Sequence, residues 1–218
     1  GGYIFQVIQA LTQVSDQQMH MNEFITAMSH SLILSFSSIV LFLILIISII
    51  YLNYIKARSQ FIMYFLLPSS TVVGFSLYLL FSEQFSIMMD VIKISLGLNL
   101  VYSLALYKSY IYPQFSSIQS QLDVCRIYGL TFTSSLTQVI LPQIKKSLVI
   151  SANIIFIFSF CEFALIKAVG AQSLFSGVFI ERLISTYHLD QGFIYSFIVL
   201  ALVFLFFHIT RFLTDEPN

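Results

Sequence analysis

The chain has 218 residues, of which 58% are hydrophobic and only 9% are charged, and its mean hydropathy is +0.90. Soluble domains usually carry about a quarter charged residues, so a soluble domain of this length could not bury so much apolar surface. The composition therefore predicts an all-α membrane protein and excludes a soluble globular one. The formal net charge is zero, and in a membrane protein the placement of charges is more informative than their sum.

Hydrophobic runs divide the chain into five candidate transmembrane spans, since about 20 apolar residues are needed to cross a bilayer as a helix. Residues 1–30 mix polar and apolar side chains and are predicted to form an interfacial or periplasmic lead-in. A transmembrane domain is predicted at residues 31–213, and residues 214–218 form a cytoplasmic tail. The predicted spans lie at residues 31–52, 61–81, 87–107, 147–169 and 192–210.

The distribution of basic residues predicts the orientation of these spans. With the polar insertion at residues 109–146 placed in the cytoplasm, seven basic residues lie inside and two outside, while Lys93 lies within a span. Loops rich in Lys and Arg stay cytoplasmic, so the N-terminus is predicted outside and the C-terminus inside. The inside set is Lys56, Arg58, Lys108, Arg126, Lys145, Lys146 and Arg211, and the outside set is Lys167 and Arg182.

Polar and helix-breaking residues inside the spans are candidates for a translocation pathway or gate. Pro68 removes a backbone hydrogen bond in the second span, which is tolerated only where neighbouring groups satisfy the freed carbonyl. Ser95, Asn99 and Ser103 recur every four residues in the third span and therefore share one helical face. Such a stripe faces other helices or a water-filled path rather than lipid. Plain hydrogen bonding between helices explains it equally well.

Glu162 is the acidic residue of the fourth predicted span, where a charged group is costly and usually faces the protein interior. It shares a helical face with Ser151 and Ser159, and together with Ser159 it is a candidate for the pathway or gate. A structural hydrogen bond or an ion pair with Lys167 is the alternative explanation, and the sequence favours neither.

The polar insertion between the third and fourth spans has helix signals of its own. Ile118, Leu122 and Cys125 fall at helical spacing among polar residues, which predicts a short amphipathic helix. Gly129 is placed to end this helix. Pro142 is placed to begin the next one, because a proline loses no hydrogen bond at a helix start.

The stretch DVCRIYGLTFTSSLTQVILP within this insertion resembles the EAA loop of ATP-binding-cassette (ABC) importer permeases. That loop has the pattern E-A-A, three residues, Gly, nine residues, then I-x-L-P. Asp123-Val124-Cys125 stands at E-A-A, Gly129 at the glycine and Val139-Ile140-Leu141-Pro142 at I-x-L-P, without gaps. The E-A-A triplet is poorly kept, although Asp for Glu is a mild change. The resemblance therefore rests on the spacing from Gly to Leu-Pro and on the five-span topology, and it extends from about residue 26 onward.

The resemblance implies a MetI-like ABC importer permease bundle of five to six helices with a cytoplasmic EAA coupling loop. In that family the loop docks in a cleft of a cytoplasmic ATPase. No G-x-x-x-x-G-K-[ST] phosphate loop occurs in this chain, so ATP hydrolysis requires a separate subunit. The implied ATPase-coupling residues are Gln121, Leu122, Asp123, Val124, Cys125, Arg126, Gly129, Leu141 and Pro142.

The implied partners are a cytoplasmic ABC ATPase dimer, a periplasmic substrate-binding protein, and a second permease half or subunit in the lipid bilayer of a bacterial inner membrane. The chain is expected to be either a complete subunit or the second half of a fused permease, moving a small solute inward by alternating access. No enzyme activity, cofactor, metal site or nucleic-acid partner is expected, since the four histidines and two cysteines are scattered.

Thiamine is the expected solute, and iron(III) is the alternative. The segments YFLLPSSTVVGFSLYLL, FSFCEFALIKAVG and LISTYHLDQGFIYSFIVLAL carry this finer resemblance. Two other classes of protein compete with a permease. A membrane-embedded enzyme would need clustered His, Asp or Glu residues, which the sequence lacks. A structural or assembly membrane protein would explain the spans but not the spacing within the insertion.

Overall fold

A computed structural model describes the backbone of residues 2–54, 69–81, 86–171 and 175–214. Side chains are described within these ranges from residue 21 to residue 211. Pro68 and the first part of the second predicted span lie outside the described residues. The predicted inside residues Lys56 and Arg58 also lie outside them.

All regular structure in these ranges is helical. Four of the described helical segments are long and apolar enough to cross a membrane: Met21–Tyr54, Ile87–Ser117, Phe132–Cys161 and Leu189–Arg211. The expectation of an all-helical, multi-pass membrane protein is confirmed at this level. The helices are α1 (Gly2–Tyr54), α2 (Ser70–Leu80), α3 (Ile87–Leu106), α4 (Tyr112–Ser117), α5 (Gln119–Ile127), α6 (Phe132–Ser135), α7 (Leu141–Cys161), α8 (Ala164–Ala168), α9 (Ser176–Ser185) and α10 (Leu189–Thr214).

The second predicted span is described only in part. Its C-terminal portion forms α2, an apolar helix of 11 residues that is too short to cross a bilayer by itself. A Cβ atom added to Gly74 would lie 2.7 Å from the Cβ of Ala168 on α8. Small residues thus allow α2 and α8 to pack closely, as at many helix contacts within membranes. The total of five spans stays a prediction.

Helical structure also occupies much of the predicted polar insertion. The helix that begins at Ile87 continues to Ser117, and the helix that contains α7 begins at Phe132. Pro142 lies in the first turn of α7, as the sequence predicted, but a π-helical turn joins α7 to the helix that begins at Phe132, so that the two form one long segment. Only α5 and the short connections on either side of it interrupt the two long helices.

Two π-helical turns explain how prolines are accommodated in these long helices. One turn, Tyr107–Ile111, precedes Pro113, and the other, Leu136–Ile140, precedes Pro142. A proline has no N–H for the regular ladder, and its ring crowds the carbonyl four residues earlier. A wider turn at this point relieves the crowding without ending the helix.

The region predicted as the fourth span contains a break. α7 ends at Cys161, Glu162 has the extended backbone angles −68° and 132°, and α8 begins at Ala164. No glycine or proline lies at this point in the sequence, so the break depends on packing. The start of α9 approaches so closely that a Cβ on Gly177 would lie 2.8 Å from the carbonyl oxygen of Glu162.

Helix α1 is the central column of the fold, because its buried side chains belong to three separate apolar clusters. Phe42 and Ile50 pack with α4, α5 and the start of α7. Leu34 packs with α2, α3 and α8. Phe24 and Met28 pack with α7, α9 and α10. The insertion and the opposite end of the molecule are therefore both fixed to one continuous helix.

Candidate functional site

Helix α5, at the centre of the insertion, turns one apolar face toward the bundle. The side chains of Ile118 and Leu122 are 1% exposed, and that of Cys125 is 8% exposed. Ile118 and Leu122 join the cluster formed with α1 and α7, so the amphipathic helix predicted from the sequence is confirmed. Burial of one such aliphatic side chain contributes roughly 2 kcal/mol, which fastens α5 to this end of the bundle.

Gly129 ends α5, as the sequence predicted. Its φ of 70° lies in the left-handed region, which glycine adopts without steric cost. The Gly129 amide donates to the carbonyl of Arg126, and the Leu130 amide donates to that of Cys125, both at 3.0 Å. These are the two hydrogen bonds of a Schellman C-cap. A Cβ at Gly129 would meet no atom within 4 Å, so the need for glycine comes from the backbone alone.

Arg126 joins α5 to the C-terminal end of α1. Its Nη1 donates to Oδ1 of Asp123 at 2.7 Å, and its Nη2 donates to the carbonyl oxygens of Tyr54 and, at 3.4 Å, Asn53. The guanidinium carbon lies 4.7 Å from the centroid of the Tyr54 ring. Hydrogen bonds from an ionised donor such as this guanidinium are stronger than those between neutral groups.

Tyr54 holds the turn that follows α5. Its hydroxyl donates to the carbonyl of Leu130 at 3.0 Å. The rings of Tyr54 and Tyr51 lie edge-on to Phe132, with centroid separations of 5.3 Å and 4.9 Å. We refer to Arg126, Tyr54 and Phe132 as the clamp. The contacts among these three side chains hold α5 and the start of α6 against the end of α1.

The opposite side of α5 is apolar but exposed. The exposed fractions are 50% for Val124, 83% for Ile127, 80% for Tyr128 and 39% for Leu130. We refer to these four residues as the docking edge. Tyr128 and Leu130 adjoin Gly129 in the sequence, so the position of this part of the edge depends directly on the C-cap. The coupling residues named from the sequence are thus divided, since Leu122 and Cys125 face the bundle while Val124 faces outward.

The residues that flank the two ends of the motif at residues 123–142 contact each other in the structure. Nε2 of Gln143, in the first turn of α7, donates to Oε1 of Gln121 on α5 at 2.7 Å. Leu141 is half-buried and Pro142 is exposed beside this contact. The motif therefore folds back on itself, and its beginning and end form one surface at the same end of the bundle.

The polar stripe of α3 lies against α1. Ser38 Oγ donates to Ser95 Oγ at 3.2 Å, and Asn99 Nδ2 donates to the Ser38 carbonyl at 3.1 Å. The Ser103 hydroxyl donates to the carbonyl of Asn99. All three stripe residues are buried, and these contacts correspond to the helix–helix explanation that the sequence left open. Asn99 Oδ1 is buried without a hydrogen-bond partner within the described residues.

Glu162 is half-buried at the break between α7 and α8. Its Oε1 accepts a hydrogen bond from the amide of Leu165 at 2.9 Å, so the carboxylate caps the first turn of α8. Negative charge is favourable at a helix N-terminus. The ion pair considered between Glu162 and Lys167 is not the one formed, because Lys167 Nζ contacts Glu181 Oε2 at 2.7 Å.

Ser151 and Ser159 are 0% and 1% exposed. In the part of the chain that the structure describes, neither hydroxyl has a hydrogen-bond partner. The structure therefore does not join them to Glu162 through hydrogen bonds. It places the serines inside the bundle and Glu162 at the end of α7.

Residues assigned to the outer side by the charge distribution come together at the end of the molecule opposite the clamp. Arg182 Nη2 lies 2.5 Å from Glu23 Oε2, which joins α9 to α1. The Lys167–Glu181 pair joins α8 to α9. Deeper in the same region, the Ser176 amide donates to Ser31 Oγ at 2.8 Å, and the hydroxyl oxygens of the two serines lie 2.9 Å apart. The apolar part of α1, Met21–Tyr54, is thus hydrogen-bonded to other elements at both of its ends.

Comparison with protein-family models gives no match to this sequence. Comparison with curated proteins gives no match either.

Several residues of the site were not predicted from the sequence. Tyr54 lies at the end of an apolar run and carries no motif, so its part in the clamp depends on the fold. Ser31 and Ser38 had a detectable signal, because with Ser35 they repeat at intervals of four and three residues along the first span. Such spacing marks one helical face, and all three serines are buried.

We expect Arg126→Ala to loosen the insertion while leaving the membrane bundle folded. Loss of charge-assisted hydrogen bonds to the end of α1 should cost about 2 kcal/mol locally, or a roughly thirtyfold increase in opening. Hydrogen exchange of the amides in residues 119–131 measures this opening. Arg126→Lys should restore protection only in part, because an ammonium cannot form the same fork of contacts. Lys108→Ala, which removes an exposed cation from the same region, is the control, and equal exchange in all variants would refute the clamp.

Proposed function

We propose that this chain is a transmembrane permease subunit, or one half of a fused permease, of an ABC importer. The observation that carries the proposal is the α5 insertion. A short amphipathic helix lies between two long apolar helices, ends at Gly129 in a left-handed C-cap and presents an apolar edge away from its own bundle. Its residue spacing resembles that of the EAA loop.

The docking edge supports the existence of a partner outside the membrane. Ile127 and Tyr128 are at least 80% exposed, and they stand at the end of the molecule that the charge distribution assigns to the cytoplasm. Contiguous apolar surface exposed to water is characteristic of an interaction site. A helix laid in a groove of a partner buries such an edge, and the proposed partner is the cytoplasmic ABC ATPase dimer.

The clamp suggests how ATPase movement would reach the membrane helices. A displacement of α5 would act on the end of α1 through Arg126 and Tyr54 and on the start of α7 through the hydrogen bond between Gln121 and Gln143. α1 contacts α3 through Ser38 and contacts α9 through Ser31 and Glu23. Movement of a single helix would therefore alter packing from the insertion to the opposite end, as alternating access between an inward-open and an outward-open state requires.

The other parts of the proposed system follow from this assignment. A periplasmic binding protein would deliver the solute at the end that carries α9, in a bacterial inner membrane. A second permease half or subunit would complete the pathway. Thiamine is the proposed solute and iron(III) is the alternative. Uptake of labelled thiamine compared with labelled iron, in cells that lack their own permease for either, distinguishes the two.

The proposal predicts that Gly129→Val separates the permease from its ATPase. A β-branched residue is strained at a φ of 70°, so the C-cap and the docking edge around it should shift. Co-purification of the ATPase subunit and its stimulated ATP turnover are the measurements. Gly129→Asn is the matched control, because asparagine adopts the left-handed conformation more readily, and it should retain binding.

The two Gly129 variants test the partner independently of protein folding. Both place a side chain in open space, since no atom lies within 4 Å of the added Cβ. Retention of the ATPase and of normal turnover by the valine variant would refute docking at this edge. Absence of any ATPase from the purified wild-type assembly would refute the permease proposal itself.

Glu162→Gln is expected to lower uptake while the complex remains assembled. A glutamine oxygen can still accept the hydrogen bond from the Leu165 amide, so α8 should keep its cap while the negative charge is removed. Glu23→Gln makes the same chemical change in the outer ion pair and serves as the control. Normal uptake by the Glu162 variant would leave Glu162 with a structural role alone.

A further inference from the structure

A groove lies between α7, α9 and α10. Its volume is about 380 Å³, within the range of small-molecule sites. α10 contributes a row of residues at intervals of three and four positions, so the groove follows this helix for roughly 10 Å. Its apolar walls include Ile157, Phe160, Ile180, Val199, Leu200 and Val203.

The polar groups that line the groove are already engaged within the protein. The Ser176 hydroxyl donates to the Phe160 carbonyl at 2.8 Å, and the Ser196 hydroxyl donates to the Gly192 carbonyl at 2.7 Å. Glu181 is paired with Lys167. Since the two hydroxyl groups already donate within the protein, the part of the groove that they line favours a guest that is itself apolar.

The surroundings of the groove indicate what such a guest would be. α7 and α10 are both candidate membrane spans, and α10 is exposed on either side of the groove, for example at Ile198 and Leu202. This continuous apolar surface contacts hydrocarbon when the chain lies in a bilayer. A lipid chain can therefore enter the groove sideways, without crossing water.

The rim of the groove carries one positive and one negative group. Lys167 and Glu181 are 2.7 Å apart, and their side chains are 49% and 37% exposed. Lys167 follows the end of α7, and both residues belong to the outer side in the predicted orientation. A lipid headgroup with an ammonium and a phosphate can contact the carboxylate and the ammonium of this pair, respectively.

We propose that this groove is a binding site for one acyl chain of a phospholipid, with phosphatidylethanolamine preferred at the rim. The acyl chain lies along α10 against Val199 and Val203. The phosphate of the headgroup contacts Lys167, and its ammonium contacts Glu181. The bound lipid fills the space between α7 and α10 at the level where α9 crosses them. This inference does not depend on the ABC importer proposal.

A pair of tryptophan variants tests the site. Leu200 lines the groove, whereas Leu202, two residues along the same helix, is exposed and is not among the groove residues. The full-length protein, purified with its partners, is incubated with phosphatidylethanolamine or phosphatidylglycerol of identical acyl chains. Bound lipid is then counted by native mass spectrometry. The chain contains no tryptophan, so each variant also carries a single fluorophore that reports folding.

The wild-type protein and Leu202→Trp should each retain one phosphatidylethanolamine per chain, whereas Leu200→Trp should retain about tenfold less. Ser196→Leu, a smaller obstruction of the same groove, should also reduce retention if Leu200→Trp disturbs folding. Glu181→Gln should abolish the preference for phosphatidylethanolamine over phosphatidylglycerol. Equal retention by the two tryptophan variants would overturn the proposal. The proposal would also be overturned if the wild-type protein retained no lipid because another protein subunit covered the groove.

Discussion

The guanidinium of Arg126 on the terminal carbonyls of α1 is the interaction on which the proposed mechanism depends. The carbonyl oxygens of Asn53 and Tyr54, the last described residues of α1, both accept hydrogen bonds from this guanidinium. Arg126 reaches them from a different part of the chain and is oriented by Asp123 and by the Tyr54 ring. The contact therefore fixes α5 to α1, and the insertion cannot move far without affecting α1.

Polar contacts between α1 and other helices connect the insertion to the opposite end of the described bundle. Polar groups in a bilayer are costly unless they are paired, and most of the described polar contacts of α1 are made with helices rather than with loops. Ser38 contacts the stripe of α3 near the middle of the apolar part of α1, Met21–Tyr54, and Ser31 contacts the first residue of α9. These hydrogen bonds resist sliding between helices more specifically than aliphatic packing does. They make α1 a suitable element for carrying a displacement between the two ends of the molecule.

The sequence predicted the features that depend on composition and local backbone chemistry. Apolar content indicated membrane helices, and Gly129 after an amphipathic run indicated the end of α5. Features that depend on tertiary contacts were missed. Residues 15–24 are polar, so α1 was not expected to continue through them, and the break at Glu162 has no local signal because it follows from the approach of α9 at Gly177. Pro142 indicated the first turn of α7, but the π turn that joins α7 to α6 has no signal in a single sequence.

The central claim is that the docking edge contacts an ATPase, and photo-cross-linking from position 127 tests it most directly. A photoreactive amino acid replaces Ile127 in the full-length protein, and a second variant carries it at Leu205, which is 57% exposed on α10. We expect position 127 to form a cross-link to a nucleotide-binding polypeptide in intact membranes, whereas position 205 should form none. Cross-links from position 127 only to lipid, or only to other residues of this chain, would contradict it.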